Sequence, residues 1–184
     1  MQDISLHILD LVQNAVTAGS DLVKISIEDN PDTGLLTVSI EDNGAGMSEE
    51  QAARAVDPFY TTRSTRRVGL GIPMFKAAAE ISGGCFELKS GEGRGTEIKA
   101  VFDQNNIDCP PLGKTGDTLI SIILCNPGID FIYTHSCGGS TFELDTRLIK
   151  NELGEVPINN PDVLNWIADY ISQGLDEIYG GVSK

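Results

Sequence analysis

The opening of the chain carries apolar side chains at Ile4, Ile8, Leu11, Val12, Ala15 and Val16, steps that gather them on one side of a helix. Ala-Gly-Ser follows as a stop, so the pattern predicts a helix over about residues 3–18. The period then changes to two. "LVKISIED" and "LLTVSIED" alternate apolar with polar positions around the turn-rich "NPDTG", which predicts a hairpin. "SEEQAARAV" returns to a short helix with Ser48 as N-cap and Gln51 three positions on. Residues 57–69, "DPFYTTRSTRRVG", keep no period and read as a mobile loop. The helix "LGIPMFKAAAEIS" stops at Gly-Gly, and "CFELKS", the turn "GEGRG" and "TEIKAVF" read as a second hairpin. This order predicts an α+β fold: a sandwich of one sheet covered on one face by helices.

A boundary falls near residues 103–117, where "DQNNIDCPPLGKTGD" collects Asn, Pro, Gly and Asp. It divides a first unit, 1–106, from a smaller C-terminal α/β unit, 117–184. "TLISIILC" could be strand or helix; Asp117 before it and Asn-Pro after it tilt it toward a short helix. "DFIYTHS" and "STFELDT" flank Cys-Gly-Gly as a hairpin, and "DTRLIKNEL" and "NPDVLNWIADYISQGLDEIY" read as helices. In the last helix Val163, Leu164, Ile167, Tyr170, Ile171 and Leu175 form a stripe expected to be core.

Composition narrows the classes. The 184 residues are 40% hydrophobic, enough to bury a core, and the formal charge of −14 disfavours a surface that tracks nucleic acid or anionic lipid. Any anion must therefore be bound locally, and the one basic cluster is Arg63, Arg66 and Arg67. No charged leader and no apolar run long enough to cross a bilayer is visible, which leads us to expect a soluble, cytoplasmic protein. None of the four cysteines stands at metal-ligand spacing from another, so free thiols are expected, with His135 and Cys137 the nearest approach to a metal pair.

Candidate chemistry sits in the first unit. Asp10 and Asn14, one turn apart on the opening helix, present a carboxylate and an amide oxygen suited to Mg2+, or a carboxylate that orients an attacking water. In "VGLGIP", Gly69 and Gly71 flank Leu70 at a helix start, where backbone N–H groups favour phosphate. "EDNGAGM" sets Asp42, Gly44 and Gly46 directly after a strand, and "GEGRGTEI" sets Gly93 and Gly95 before Thr96. Each alone is an ordinary turn or helix entry. Four in order are not.

That ordered set resembles the gyrase, chaperone, histidine-kinase and mismatch-repair (GHKL) ATPase superfamily, with its Bergerat-type sandwich, over roughly residues 3–102. "LDLVQNAVTAG" looks like the N box, "DNGAGM" the G1 box, "VGLGIP" the G2 box and "GRGTEI" the box that closes the site. The texture of "DPFYTTRSTRRVGLGIPMFKAAAEISGG" is most similar to sensor histidine kinases. The resemblance implies that Asp42 accepts from the adenine amino group with Thr96 beside it, and that Gly44 and Gly46 leave room for the purine. It implies that Asn14 ligates the Mg2+ of Mg-ATP, and that Thr62, Arg63 and the Gly69, Leu70, Gly71 backbone reach the phosphates. Hydrolysing members place Glu where Asp10 stands, one methylene longer, so Asp10 as the catalytic residue implies slow turnover or none.

The expected function is a nucleotide-dependent switch with a protein partner. The alternatives are a kinase acting on a partner's His or Ser and an interaction module that has lost nucleotide binding. His7 is expected to be structural, and no transmitter segment is visible ahead of the ATP unit, unlike a complete sensor kinase. In the C-terminal unit, "LISIILCNPGIDFIYTHSCGGSTFEL" is similar to the start of the transducer region of mismatch-repair ATPases.

Overall fold

The computed structural model describes residues 3–57 and 70–180. Helix α1 (Ile4–Thr17) is capped by Asp3, whose carboxylate accepts from the Leu6 N–H, and it buries Ile4, Ile8, Leu11, Val12 and Ala15 as its period predicts. The hairpin of β1 (Leu22–Asn30) and β2 (Leu35–Asp42) follows, then α2 (Glu49–Ala55), which buries nothing and is held by the Ser48–Gln51 capping box. Helix α3 (Gly71–Ile81) leads to the second hairpin, β3 (Cys85–Gly91) and β4 (Gly95–Asp103). The C-terminal part forms α4 (Thr115–Cys125), β5 (Asp130–Cys137), β6 (Ser140–Asp145), α5 (Thr146–Leu153) and α6 (Pro161–Ile178), so the ambiguous "TLISIILC" is helical.

The six strands make one mixed sheet in the order β3-β4-β2-β1-β5-β6. All neighbours are antiparallel except β1 and β5, which run parallel from the Leu22–Asp130 pair to the Asp29–Cys137 pair. The C-terminal part thus continues the sheet of the first hairpins. Its linker is also pinned: the Ile4 and Ser5 N–H groups, left over at the start of α1, donate to Pro111 and Leu112 carbonyls at 2.9 Å.

Alternation decides the faces. Val23, Ile25 and Ile27 of β1, Leu36, Val38 and Ile40 of β2, and Ile98, Ala100 and Phe102 of β4 are buried beneath the helices. A neighbouring row on the other face, Lys24, Glu41, Glu97 and Lys89, is solvated, and its paired glutamates are flanked by the lysines at 3.0 and 3.6 Å. In the helical layer α1 packs between α3 and α4, and α6 packs on α4 and over β5 and β6. Phe75 of α3, fully buried, touches Phe102 of β4 and the ring of His7.

The stripe on α6 divides. Leu164, Ile167 and Ile171 are core, but Tyr170 is 41% exposed and Val163 lines a surface cleft, correcting the expectation that the whole stripe is core. The reason is the angular width of the stripe: residues 163 and 170 lie at its edge, and Gly174, whose Cβ position is 2.0 Å from Phe142 Cδ2, fixes which side meets the sheet.

A buried polar chain anchors the far end of α6. The Tyr179 hydroxyl donates to Asp29 at 3.0 Å and stands 2.9 Å from His135 Nε2, while His135 Nδ1 stands 2.6 Å from the Tyr133 hydroxyl. One proton arrangement satisfies all of these: Tyr133 donates to Nδ1, and Nε2–H donates to Tyr179. Burial pushes both tyrosine hydroxyls well up, with Asp29 adding to the effect at Tyr179, and pushes His135 down to about 4. Both ring nitrogens of His135 are therefore occupied by hydroxyls. Among the described residues no cluster of His, Cys, Asp and Glu suits a metal held by protein alone, and none of the four cysteines forms a disulfide.

Candidate functional site

The buried alternation of β2, Leu36, Val38, Ile40, continues to Asp42, and that of β4, Phe102, Ala100, Ile98, continues to Thr96. Both polar residues therefore lie on the helix-covered face at the end of the sheet. They are direct partners in register, and the row runs Val23, Asp42, Thr96, Ser90 across β1, β2, β4 and β3. Polar side chains placed where the pattern calls for apolar ones need partners. Asp42 Oδ1 accepts from the Ser20 hydroxyl at 2.9 Å and from the Gly44 N–H at 2.8 Å. Its second oxygen, Oδ2, has no partner among the described residues. Thr96 Oγ1 lies 2.9 Å from Ser90 Oγ, which also takes the Met47 N–H at 2.9 Å.

The turn after Asp42 is clamped on both sides. Ala45 donates to the Ala18 carbonyl at 2.9 Å and accepts from the Gly93 N–H at 2.7 Å, tying the turn to the end of α1 and to the β3–β4 turn. Asn43 fastens it to the start of β1, its amide oxygen accepting from the Asp21 and Leu22 N–H groups at 3.1 Å. The glycines are required by these approaches. A Cβ on Gly44 would stand 2.6 Å from Ser20 Oγ, and one on Gly46, at φ 66°, would stand 1.9 Å from the Gly91 carbonyl oxygen. Their freedom therefore closes the loop on the protein itself, a cause different from the room for a purine that the resemblance implies.

Helix α1 is the spine that joins the remaining parts. The Cβ position of Gly71, the first residue of α3, lies 3.3 Å from Asp10 Cβ and 3.6 Å from Asn14 Nδ2. Gly44 packs on Ala18, whose N–H bonds the Asn14 carbonyl one turn back. Asp10 through Ala18 covers about 12 Å of helix, so the Gly71 helix start and the Asp42 turn both pack along α1, about two turns apart. Leu70 caps α3 without a side-chain hydrogen bond, and the Gly71 and Ile72 N–H groups have no partner among the described residues. Asp10 is exposed and Asn14 half-buried.

The structure thus sets Asp42, Gly44, Gly46 and Thr96 together at one end of the sheet, and Asp10 and Asn14 beside Leu70 and Gly71 along α1. Thr62, Arg63 and Gly69 lie outside the described residues. His7, buried behind Asp10 against Phe75, is lowered by burial, which outweighs the opposing Asp10 and Asp3 charges. Two residues were not singled out from sequence: Ser20, which orients Asp42, and Ser90, which orients Thr96. Ser90 carries a signal, a hydroxyl continuing the inward-facing series Phe86, Leu88; Ser20 carries none.

The donor set fits a nucleotide with a hard cation. Carboxylate and amide oxygens on α1, with no soft ligands, suit Mg2+ held jointly by one or two protein groups and phosphate, rather than by a protein cage.

Residues 2–106 match the family described as histidine kinase-, DNA gyrase B-, and HSP90-like ATPase. The chain is 32% identical over 110 residues to the non-motile and phage-resistance protein of Caulobacter vibrioides, covering 55% of this chain and 13% of that protein. It is 29% identical over 116 residues to the cell-division control histidine kinase PdhS of Brucella abortus, covering 54% of this chain and 11% of that protein. The chain thus spans only a small part of these relatives. A crystal structure of the N-terminal domain of a DNA repair protein superposes with a TM-score of 0.55 at 15% identity, covering 79% of this chain and 53% of that one. That likeness concerns the fold, and it covers more of the chain than residues 2–106. No helix among the described residues is long and apolar enough to cross a membrane. The chain belongs to the histidine kinase-, DNA gyrase B-, and HSP90-like ATPase family, and its first half is an ATP-binding domain of the histidine-kinase-like type.

Proposed function

We propose that this family member binds Mg-ATP between α1, the Asp42 turn and the start of α3, and acts as a nucleotide-dependent switch for a protein partner with slow hydrolysis or none. The observation that carries the reading is the Asp42 carboxylate. One oxygen is fixed by Ser20 and Gly44, which leaves the other aimed by that fixation and available to an exocyclic N–H of adenine. The Thr96 hydroxyl, beside it in register, serves the same edge.

The remaining roles follow from position. The Gly71 and Ile72 N–H groups, at the positive end of α3, would take phosphate oxygens, with Thr62, Arg63, Gly69 and Leu70 completing that end. Asn14 would hold Mg2+, with Asp10 beside it. When bound, the cation neutralises phosphate charge, which matters in a chain of formal charge −14. Asp10 would orient a water, but its carboxylate is one methylene shorter than glutamate, so slow turnover is expected. A cytoplasmic setting fits this reading and cysteines that form no disulfide.

Mg-ATP at 100 times its Kd should add about 2.7 kcal/mol to the stability of the chain. Asp42→Ala, checked for folding by circular dichroism, should weaken binding about 10- to 100-fold, the worth of a hydrogen bond to a charged acceptor. Unchanged affinity in the folded variant would end the reading.

A second reading, phosphoryl transfer to a partner's His or Ser, is favoured by the histidine kinases among the relatives. Labelled ATP should then leave its γ-phosphate on a candidate partner; no transfer to any candidate leaves the switch.

A further inference from the structure

We propose that the cleft between α5 and α6 docks an amphipathic basic helix of a partner protein, independently of the nucleotide site. The cleft, about 470 Å³, has an apolar floor of Leu148, Ile149, Leu153, Val163 and Trp166. Leu148 is 64% and Trp166 55% exposed, and the Trp166 ring stacks on that of Tyr170 at 5.5 Å and 4°, extending the apolar surface along α6. Contiguous exposed apolar surface rimmed by polar residues is the form that protein interaction sites take. The site lies outside residues 2–106, so the ATPase domain does not account for it.

Charge identifies the occupant. Glu152 and Asp162, both exposed, complete the lining. Helix α6 also carries Asp169, Asp176 and Glu177 and has no basic residue. The two bases of α5 are already engaged, Arg147 with Asp145 at 2.6 Å, and Lys150 with Asp130 at 2.7 Å and the Ile129 carbonyl at 2.8 Å. An incoming surface therefore meets an apolar floor beside carboxylates that α5 and α6 do not neutralise. Apolar anchors flanked by Lys or Arg complement it, and they also gain from the net charge of −14 on approach. A second copy of the chain is disfavoured, because a two-fold contact through this face would bring like carboxylates together.

Backbone geometry argues for a helix. The walls are helices whose N–H and C=O groups are internally paired, so an extended segment would find no edge to pair with, whereas a helix presents anchors at successive turns. The cleft is held open in advance: Gly174 and Tyr170 of α6 pack on Phe142 of β6, and Tyr179 is tied to His135 and Asp29.

Trp166 is the only tryptophan in the chain, so its fluorescence reports on the cleft alone. The probe is a short Trp-free amphipathic peptide of Leu and Lys, compared with its Leu and Glu counterpart and with a scrambled Leu and Lys peptide that has no apolar face. The Leu and Lys helix should shift Trp166 emission to the blue with saturation and bind better than both controls. Leu148→Ser should weaken it about tenfold, the loss expected for one anchor. Glu152→Lys combined with Asp162→Lys should reverse the preference toward the Leu and Glu peptide. All three side chains are exposed, and unchanged thermal melts would verify that the variants fold. Equal binding of the scrambled peptide, or an unreversed preference in the double variant, would overturn the proposal. So would a concentration-dependent blue shift of the chain alone, which would assign the cleft to a second copy.

Discussion

Protonation of His135 should destabilise this protein, and the size of the effect follows from where the imidazole sits. It is 1% exposed and bonded between the hydroxyls of Tyr133 and Tyr179. Nδ1 must accept, because Tyr179 already gives its proton to Asp29 and so takes one from Nε2. A second ring proton would displace the one Tyr133 donates to Nδ1, and the charge that favours it, Asp29, does not offset burial. The ordinary value of 6.5 is lowered to about 4. Because the folded value is the lower one, the unfolded chain binds more protons between those limits. The stabilisation is therefore full above pH 6.5 and is lost as pH falls toward 4. At 1.36 kcal/mol per unit this amounts to about 3 kcal/mol. The assay is urea unfolding of the wild type and His135→Gln at intervals across that window. Glutamine can accept from Tyr133 and donate to Tyr179 but cannot ionise, and the difference between the two profiles cancels the carboxylates and His7. The difference should change by about 3 kcal/mol, with wild type losing more on acidification. The chain has two histidines, so the His135 ring signal can also be followed directly by NMR. Parallel profiles, or a ring titrating near 6.5, would refute the reasoning.

Gly95→Ala should cost about 2 kcal/mol or more and weaken nucleotide binding, because the residue has φ 78° and its Cβ would stand 1.9 Å from the Asp42 carbonyl oxygen; an unchanged urea midpoint would count against the clamped turn. Gly174→Ala should cost about 1–3 kcal/mol by forcing α6 off Phe142 while leaving ATP affinity intact, as a melt and a titration on the same sample would show. Asp10→Glu should raise phosphate release about tenfold if reach limits the water-orienting carboxylate. Equal rates would remove Asp10 from that role.

Periodicity carried most of the element list: the α1 stripe, the two alternating hairpins and the Ser48 capping box all lie in local sequence and appear where local physics puts them. In the structure Asp42, Thr96 and Ser90 are polar residues at positions that continue a buried series. Local pattern could not tell that the segment after residue 117 adds β5 to the edge of β1, because parallel pairing is a contact between residues about a hundred positions apart, and neither strand records its neighbour. For the same reason local sequence does not mark Ser20: nothing in "AGSD" says that its hydroxyl faces a carboxylate across the end of the sheet.

The order of polar and apolar residues, with glycine where positive φ is needed, determined the elements, the covered face and the residue types at the candidate site. Tertiary structure alone decided that Gly71 rests on Asp10 and Asn14, that Gly44 and Gly46 close on protein, and that an apolar cleft stays open beside α6. Backbone preference and side-chain period act over a few residues and are written in the chain; contacts made when distant segments pack depend on how all of them share one core.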